Sequence, residues 1–152
     1  MSDPNIVLYP IARIVRDYLI AQSVGSAYST TTDWAIATAE RPKLPLNVIT
    51  IYEETSIVRA RYHRGGMQDD LVVMIEVRST AAEPGEYRAK LIMKAMDALA
   101  RWEWVGDSDE YGQTVLIATA KRQRGIFPLG RDDNKRHIFN LEYALVIQSI
   151  TE

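Results

Sequence analysis

Between positions 137 and 148 the chain alternates without a break. His137, Phe139, Leu141, Tyr143, Leu145 and Ile147 fall on one side, and Ile138, Asn140, Glu142, Ala144, Val146 and Gln148 on the other. A period of two puts successive side chains on opposite faces of a β-strand. So continuous an apolar row has to be buried, so this segment predicts a long strand inside a sheet with one face against a core.

Other segments show which elements supply that core. Ile11, Ile14, Val15, Tyr18 and Leu19 recur at helical spacing, with Arg13, Arg16 and Asp17 on the other side. This predicts an amphipathic helix over 11–22, with Pro10 in the first turn, where its missing N–H costs nothing. Gly25 and the Ser/Thr-rich run 26–32 end it. A short strand is expected over 34–38. The prolines at 42 and 45 then impose an extended, irregular passage. Residues 47–53 and 57–62 read as strands around a short turn. His63 to Asp69, with the glycine pair Gly65-Gly66, reads as a loop tip. Residues 70–79 form a clear strand, because Leu71, Val73, Ile75 and Val77 alternate. A second helix opens at Glu83-Pro84-Gly85-Glu86, with Leu91, Ala95, Leu99 and Trp102 as its apolar seam. Gly106 and the acidic run 107–110 stop it. Residues 114–120 read as a strand and 121–135 as a long polar connection containing Gly125, Pro128 and Gly130.

The expected fold is α+β: a mostly antiparallel sheet of about four to five strands with two helices packed on one face. One domain over 1–152 is the simplest organisation, with mobile loops near 63–70 and 121–136. The face away from the helices carries Arg59, Arg61, Glu76 and Arg78 together with Val72 and Met74. A mixed face of that kind is expected to be partly covered by another subunit.

Composition narrows the function. Eighteen basic and twenty acidic side chains give a net charge of −2, too balanced for a general nucleic-acid or membrane surface. There is no cysteine, which excludes disulfides, thiolate catalysis and cysteine-ligated metals. The two histidines, His63 and His137, have no second histidine at ligand spacing and read as polar surface or edge residues. No apolar run approaches a membrane span, and from Met1-Ser2-Asp3-Pro4-Asn5 no signal peptide is expected.

Phosphate-loop, dinucleotide-binding and nucleophile-elbow patterns are absent. One enzyme-like pattern remains, Asp70 followed by Glu76-Val77-Arg78, which points to a Mg²⁺-dependent nuclease as a reading of a different class. On one strand, however, Asp70 and Glu76 would stand about 20 Å apart, beyond the reach of a single metal. Trp102 and Trp104 read as core anchors in preference to base-stacking groups. The charge layout says more. Across the long connection Lys121, Arg122, Arg124, Arg131, Lys135 and Arg136 stand against only Asp132 and Asp133. Glu103, Asp107, Asp109 and Glu110 follow the second helix. These are either two solvated loops or complementary patches of a head-to-tail contact, which closes into a ring when the rotation permits.

The chain resembles the tail terminator (tail-completion) proteins of long-tailed bacteriophages. The resemblance rests on the opening helix 11–22 and on the proline-bounded approach to a strand, Arg41-Pro42-Lys43-Leu44-Pro45-Leu46-Asn47-Val48-Ile49-Thr50-Ile51. It continues through the alternating strand 70–78 and the second helix 87–102. It ends with Gly130-Arg131-Asp132-Asp133-Asn134-Lys135-Arg136-His137 running into the last strand. It implies a non-enzymatic virion protein, without cofactor or metal, assembled in the host cytoplasm. Such a protein forms a hexameric ring that caps the tail tube, ends its elongation and presents the surface joined to the head. Partners would be further copies, the tail tube protein and neck or head-completion proteins, with DNA passing through the lumen and no membrane involved. Arg131, Asp132, Asp133, Lys135 and Arg136 are the expected contact residues. Arg59, Arg61 and Arg64 would face the lumen or a neighbouring subunit. Neck, head-closure and tail-tube proteins share the size and the ring symmetry and stay open as alternatives.

Overall fold

The computed structural model describes residues 10–54, 57–61, 67–106 and 114–151, with side chains over 10–54, 71–106 and 114–147. Pro10 precedes helix α1 (Ile11–Ala21), followed by the strands β1 (Ser26–Ala27), β2 (Ala35–Thr38), β3 (Val48–Glu53), β4 (Ile57–Arg61) and β5 (Met67–Ser79). Helix α2 (Ala82–Asp97) leads into β6 (Ala100–Val105), β7 (Thr114–Arg131) and β8 (His137–Thr151).

Among the described residues the strands form one eight-stranded sheet, ordered β1-β2-β3-β5-β8-β7-β6, with β4 also paired to β5. It is mixed: β1, β2 and β3 run parallel, and the remaining pairs are antiparallel. This corrects the expected mostly antiparallel sheet of four to five strands. Three causes account for the difference. First, β1 is two residues long inside a Ser/Thr-rich run, too short to show any periodicity. Second, β7 continues through residues 121–131, where a polar connection was expected. Register shifts at 122/124, 124/127 and 128/130 break its alternation, and Gly130 at φ 87° has a conformation suited to glycine. Third, α2 stops at Asp97 and does not continue to Trp102. The chain turns at Ala98 and Leu99, whose N–H groups still reach back to Lys94 and Met96. Arg101-Trp102-Glu103-Trp104-Val105 then alternates as β6 against β7.

Both helices pack on one face of the sheet, and the row chosen by alternation lies beneath them. Ile14, Val15 and Leu19 of α1 join Ile36, Ile49, Ile51, Val73, Ile75 and Val77 in one buried cluster. Ala89, Ile92 and Met96 of α2 join Phe139, Leu141, Tyr143 and Leu145. Each fully buried aliphatic side chain contributes about 1.5–3 kcal/mol, so this face dominates cohesion. Gly85 allows α2 to start close to the sheet, since a Cβ there would stand 2.7 Å from Ser79 Cβ and 2.9 Å from Phe139. Polar groups stitch the layers. Tyr18 donates its hydroxyl to the Ala95 carbonyl at 2.6 Å, linking α1 to α2. Tyr143 donates to Asp97 Oδ1 at 2.8 Å.

Trp102 and Trp104 are core anchors, but on β6. Trp104 is buried and donates Nε1–H to Asp17 Oδ2 at 2.8 Å. Trp102 meets Tyr18 edge-to-face, with ring centroids 5.3 Å apart.

Candidate interaction site

The sheet face away from the helices is the expected mixed face, yet the chain itself covers part of it. Glu76 and Arg78 point there from β5, because Ile75 and Val77 point to the core. Glu76 is 1% exposed and Arg78 3%. Ionised groups this deep need partners, since a lone buried charge costs several kcal/mol. The partners come from three places in the sequence. Arg41, on the segment after β2, donates Nε to Glu76 Oε1 at 3.1 Å and Nη2 to Oε2 at 2.6 Å. Arg78 donates Nε to the same Oε1 at 2.7 Å. Its Nη1 donates to Asp132 Oδ2 at 2.9 Å. Arg136 then donates Nε to that Oδ2, also at 2.9 Å.

Asp132 is the hub of the turn that joins β7 to β8. Its Oδ1 accepts the backbone N–H groups of Asn134 and Arg136, both at 2.9 Å. Its own N–H donates to the Arg136 carbonyl, and the Lys135 N–H donates to its carbonyl, each at 2.9 Å. Aspartate is suited to such a turn because its short side chain bonds its own backbone two residues on. Burial alone would raise the Asp132 pKa. The Arg136 backbone N–H and the Arg136 and Arg78 guanidinium groups outweigh that effect and hold the carboxyl below its usual value.

The expected contact residues therefore divide. Arg131, Asp133 and Lys135 are exposed at the end of the β7–β8 hairpin. Arg136, 2% exposed, and the largely buried Asp132 are bound into the turn, so residues 132–136 form a braced turn where a mobile loop was expected. Arg59 and Arg61 lie on β4, with side chains outside the described residues, and Arg64 and His63 lie outside them altogether. Met67 to Asp69, expected in the loop tip, begin β5 ahead of the strand expected from Asp70. His137 begins β8, half-buried opposite Ser79 and Arg131.

Arg41 was missed by sequence reasoning, because nothing local links it to Glu76 thirty-five residues away. The Glu76–Arg78 pair was legible from strand alternation, although its burial was not. The nuclease pattern gains no support here, because guanidinium donors occupy both Glu76 oxygens. Among the described residues, no group of three His, Cys, Asp or Glu side chains is placed to hold a metal ion.

No family model matches the chain, and no curated protein is significantly similar to it.

A second surface lies on β7. β6 covers only its first part, since the β6–β7 register ends at Ala100 opposite Thr119. Among the described residues, no strand pairs with the outer edge of residues 121–131. That edge exposes Phe127 and Leu129, each 48% accessible, beside the exposed Lys121, Arg122, Arg124 and Arg131. The Arg124 guanidinium lies 5.4 Å from the Phe127 ring centroid.

Proposed function

We propose that this chain is a structural subunit of a phage tail, acting as the terminator that caps the tail tube. The observation that carries the proposal is the outer half of β7. An exposed strand edge with two large apolar side chains inside a cluster of cations has the layout of a protein interface, an apolar centre within a polar rim. Pro128 and the irregular register of β7 against β8 discourage indiscriminate strand addition, so a specific partner surface is favoured over open-ended sheet growth. The braced hairpin end adds Arg131, Asp133 and Lys135 beside it on a rigid support.

On this reading copies assemble head-to-tail into a closed, hexameric ring. The basic edge of one copy meets a surface of the next that includes Glu103, exposed on β6, while Asp107, Asp109 and Glu110 lie outside the described residues. A ring multiplies weak contacts through effective concentration, so a single copy needs little affinity for the tube. One ring face would stop tube growth and the other would meet neck or head-completion proteins, with DNA passing through the lumen. The layout resemblance in residues 10–148 supplies the tail role, and the exposed edge supports the assembly step.

The test is electron microscopy of phage particles lacking this protein, combined with the mass of the pure protein with and without tail tubes. Overlong tails, or tails of normal length without heads, are expected, together with ring-sized particles bound to tube ends. Absent tubes would assign the chain as a tube subunit, and emptied heads would assign it to head closure. Unaltered particles would sink the proposal.

A further inference from the structure

Beside the braced turn is a small cleft of about 180 Å³. Residues 41–43 form one wall and residues 132–134 with Arg136 the other, with Arg78 of β5 also in its lining. Sites for drug-sized ligands run to about 300–1,000 Å³, so this cleft suits one small group and not an extended ligand. Its charge is unbalanced. Arg41, Lys43, Arg78 and Arg136 line it against Asp132 and Asp133, and the adjacent Glu76 still leaves the cations in excess. A cation is therefore disfavoured and an anion favoured.

A second observation is independent of the charge count. Arg78 Nη2 and Arg136 Nη1 are both buried, and neither has an acceptor within hydrogen-bond reach. The two side chains are only 4% and 3% exposed. A buried donor left without an acceptor is costly, more so when it belongs to a charged group. Both guanidinium groups are fixed through their other nitrogens on one oxygen, Asp132 Oδ2. Both side chains line the cleft, and their two spare donors, held on a shared pivot, form a receptor for an oxygen anion.

We infer that this cleft binds a single oxyanion, a phosphate or a carboxylate, received by Arg78 and Arg136 with Lys43 at the rim. Guanidinium matches either group through paired N–H···O bonds, whereas chloride offers no such geometry. The anion is either free in solution or the carboxylate of a partner's acidic side chain, and the two sources separate by affinity.

The experiment titrates the full chain with inorganic phosphate and, separately, with acetate, against chloride at equal ionic strength. The readouts are thermal midpoint and the guanidinium ¹⁵N resonances of Arg78 and Arg136. Phosphate or acetate should raise the midpoint by about 3 °C or more at tenfold excess over Kd. The same additions should shift both arginine resonances. Lys43→Ala, an exposed-site variant that retains the fold, should weaken binding about three- to tenfold. Tighter phosphate binding identifies a free anion, and tighter acetate binding a side-chain carboxylate. Unmoved arginine resonances, a chloride response equal to the other two, or undiminished binding by Lys43→Ala would each overturn the inference.

Discussion

Arg78 and Asp132 are fifty-four positions apart in sequence, and Nη1 of the first donates to Oδ2 of the second at 2.9 Å. This single bond ties the middle of β5 to the turn of the β7–β8 hairpin. It also places Arg78 between two carboxylates, Glu76 and Asp132, with Arg136 sharing the second.

Asp132→Ala should therefore destabilise the protein by about 3–5 kcal/mol, the usual cost of removing one partner from a buried charge set. The loss combines a stranded Arg136, an Arg78 left with Glu76 alone, and an unbraced turn. Urea denaturation measures it, and a change below about 1 kcal/mol would show that the hairpin holds without its hub.

The same aspartate gives the protein an acid-sensitive element. Its folded pKa lies below the unfolded value of about 3.9, so its ionised form stabilises the fold. That contribution is complete above the unfolded pKa and is lost as pH falls through the lower folded one. Thermal midpoints taken from about pH 6 down to about pH 2 should fall more steeply in the wild type than in Asp132→Asn. Parallel curves would contradict the assignment.

Tyr143 lies against α2 with its hydroxyl on Asp97, and burial, followed by that carboxylate, pushes its pKa well above the ordinary tyrosine value. In an alkaline spectrophotometric titration it should ionise after the exposed tyrosines. Tyr143→Phe should cost about 0.5–1.5 kcal/mol, the net value of one such hydrogen bond.

Leu141 is fully buried on the helix-covered face of β8. Leu141→Ala should cost about 2–5 kcal/mol through lost burial and the cavity left behind. Calorimetry gives the value, and a smaller loss would mean that α2 settles into the gap.

Arg131 is exposed at the hairpin end. Arg131→Ala should leave stability within about 0.5 kcal/mol while impairing ring formation or tube binding. Phe127→Ser combined with Leu129→Ser should behave alike, since both side chains are half exposed. Solution mass with and without tubes reads the outcome. Normal assembly by both variants would remove the β7 edge from the interface.

Local patterning alone identifies which side chains form the core in three elements. The period of two in β8 and in the second half of β5, and the helical period of α1, record which face of an element is apolar. Each signal is complete within a dozen residues, because one element's geometry produces it. The order and direction of the strands were decided only in the tertiary structure. A two-residue strand such as β1 has no period to read. The register shifts in β7 erase the alternation of a strand that only its pairing with β8 defines. Trp102 fits a helical seam as well as a strand face, and β7 pairing decides between them. The charge site is of the same kind. Arg41, Glu76, Arg78, Asp132 and Arg136 carry no mutual spacing, because their meeting depends on which strands pair and on how two distant loops close over the sheet. Local periodicity encodes faces, and non-local pairing brings those faces and their charges together.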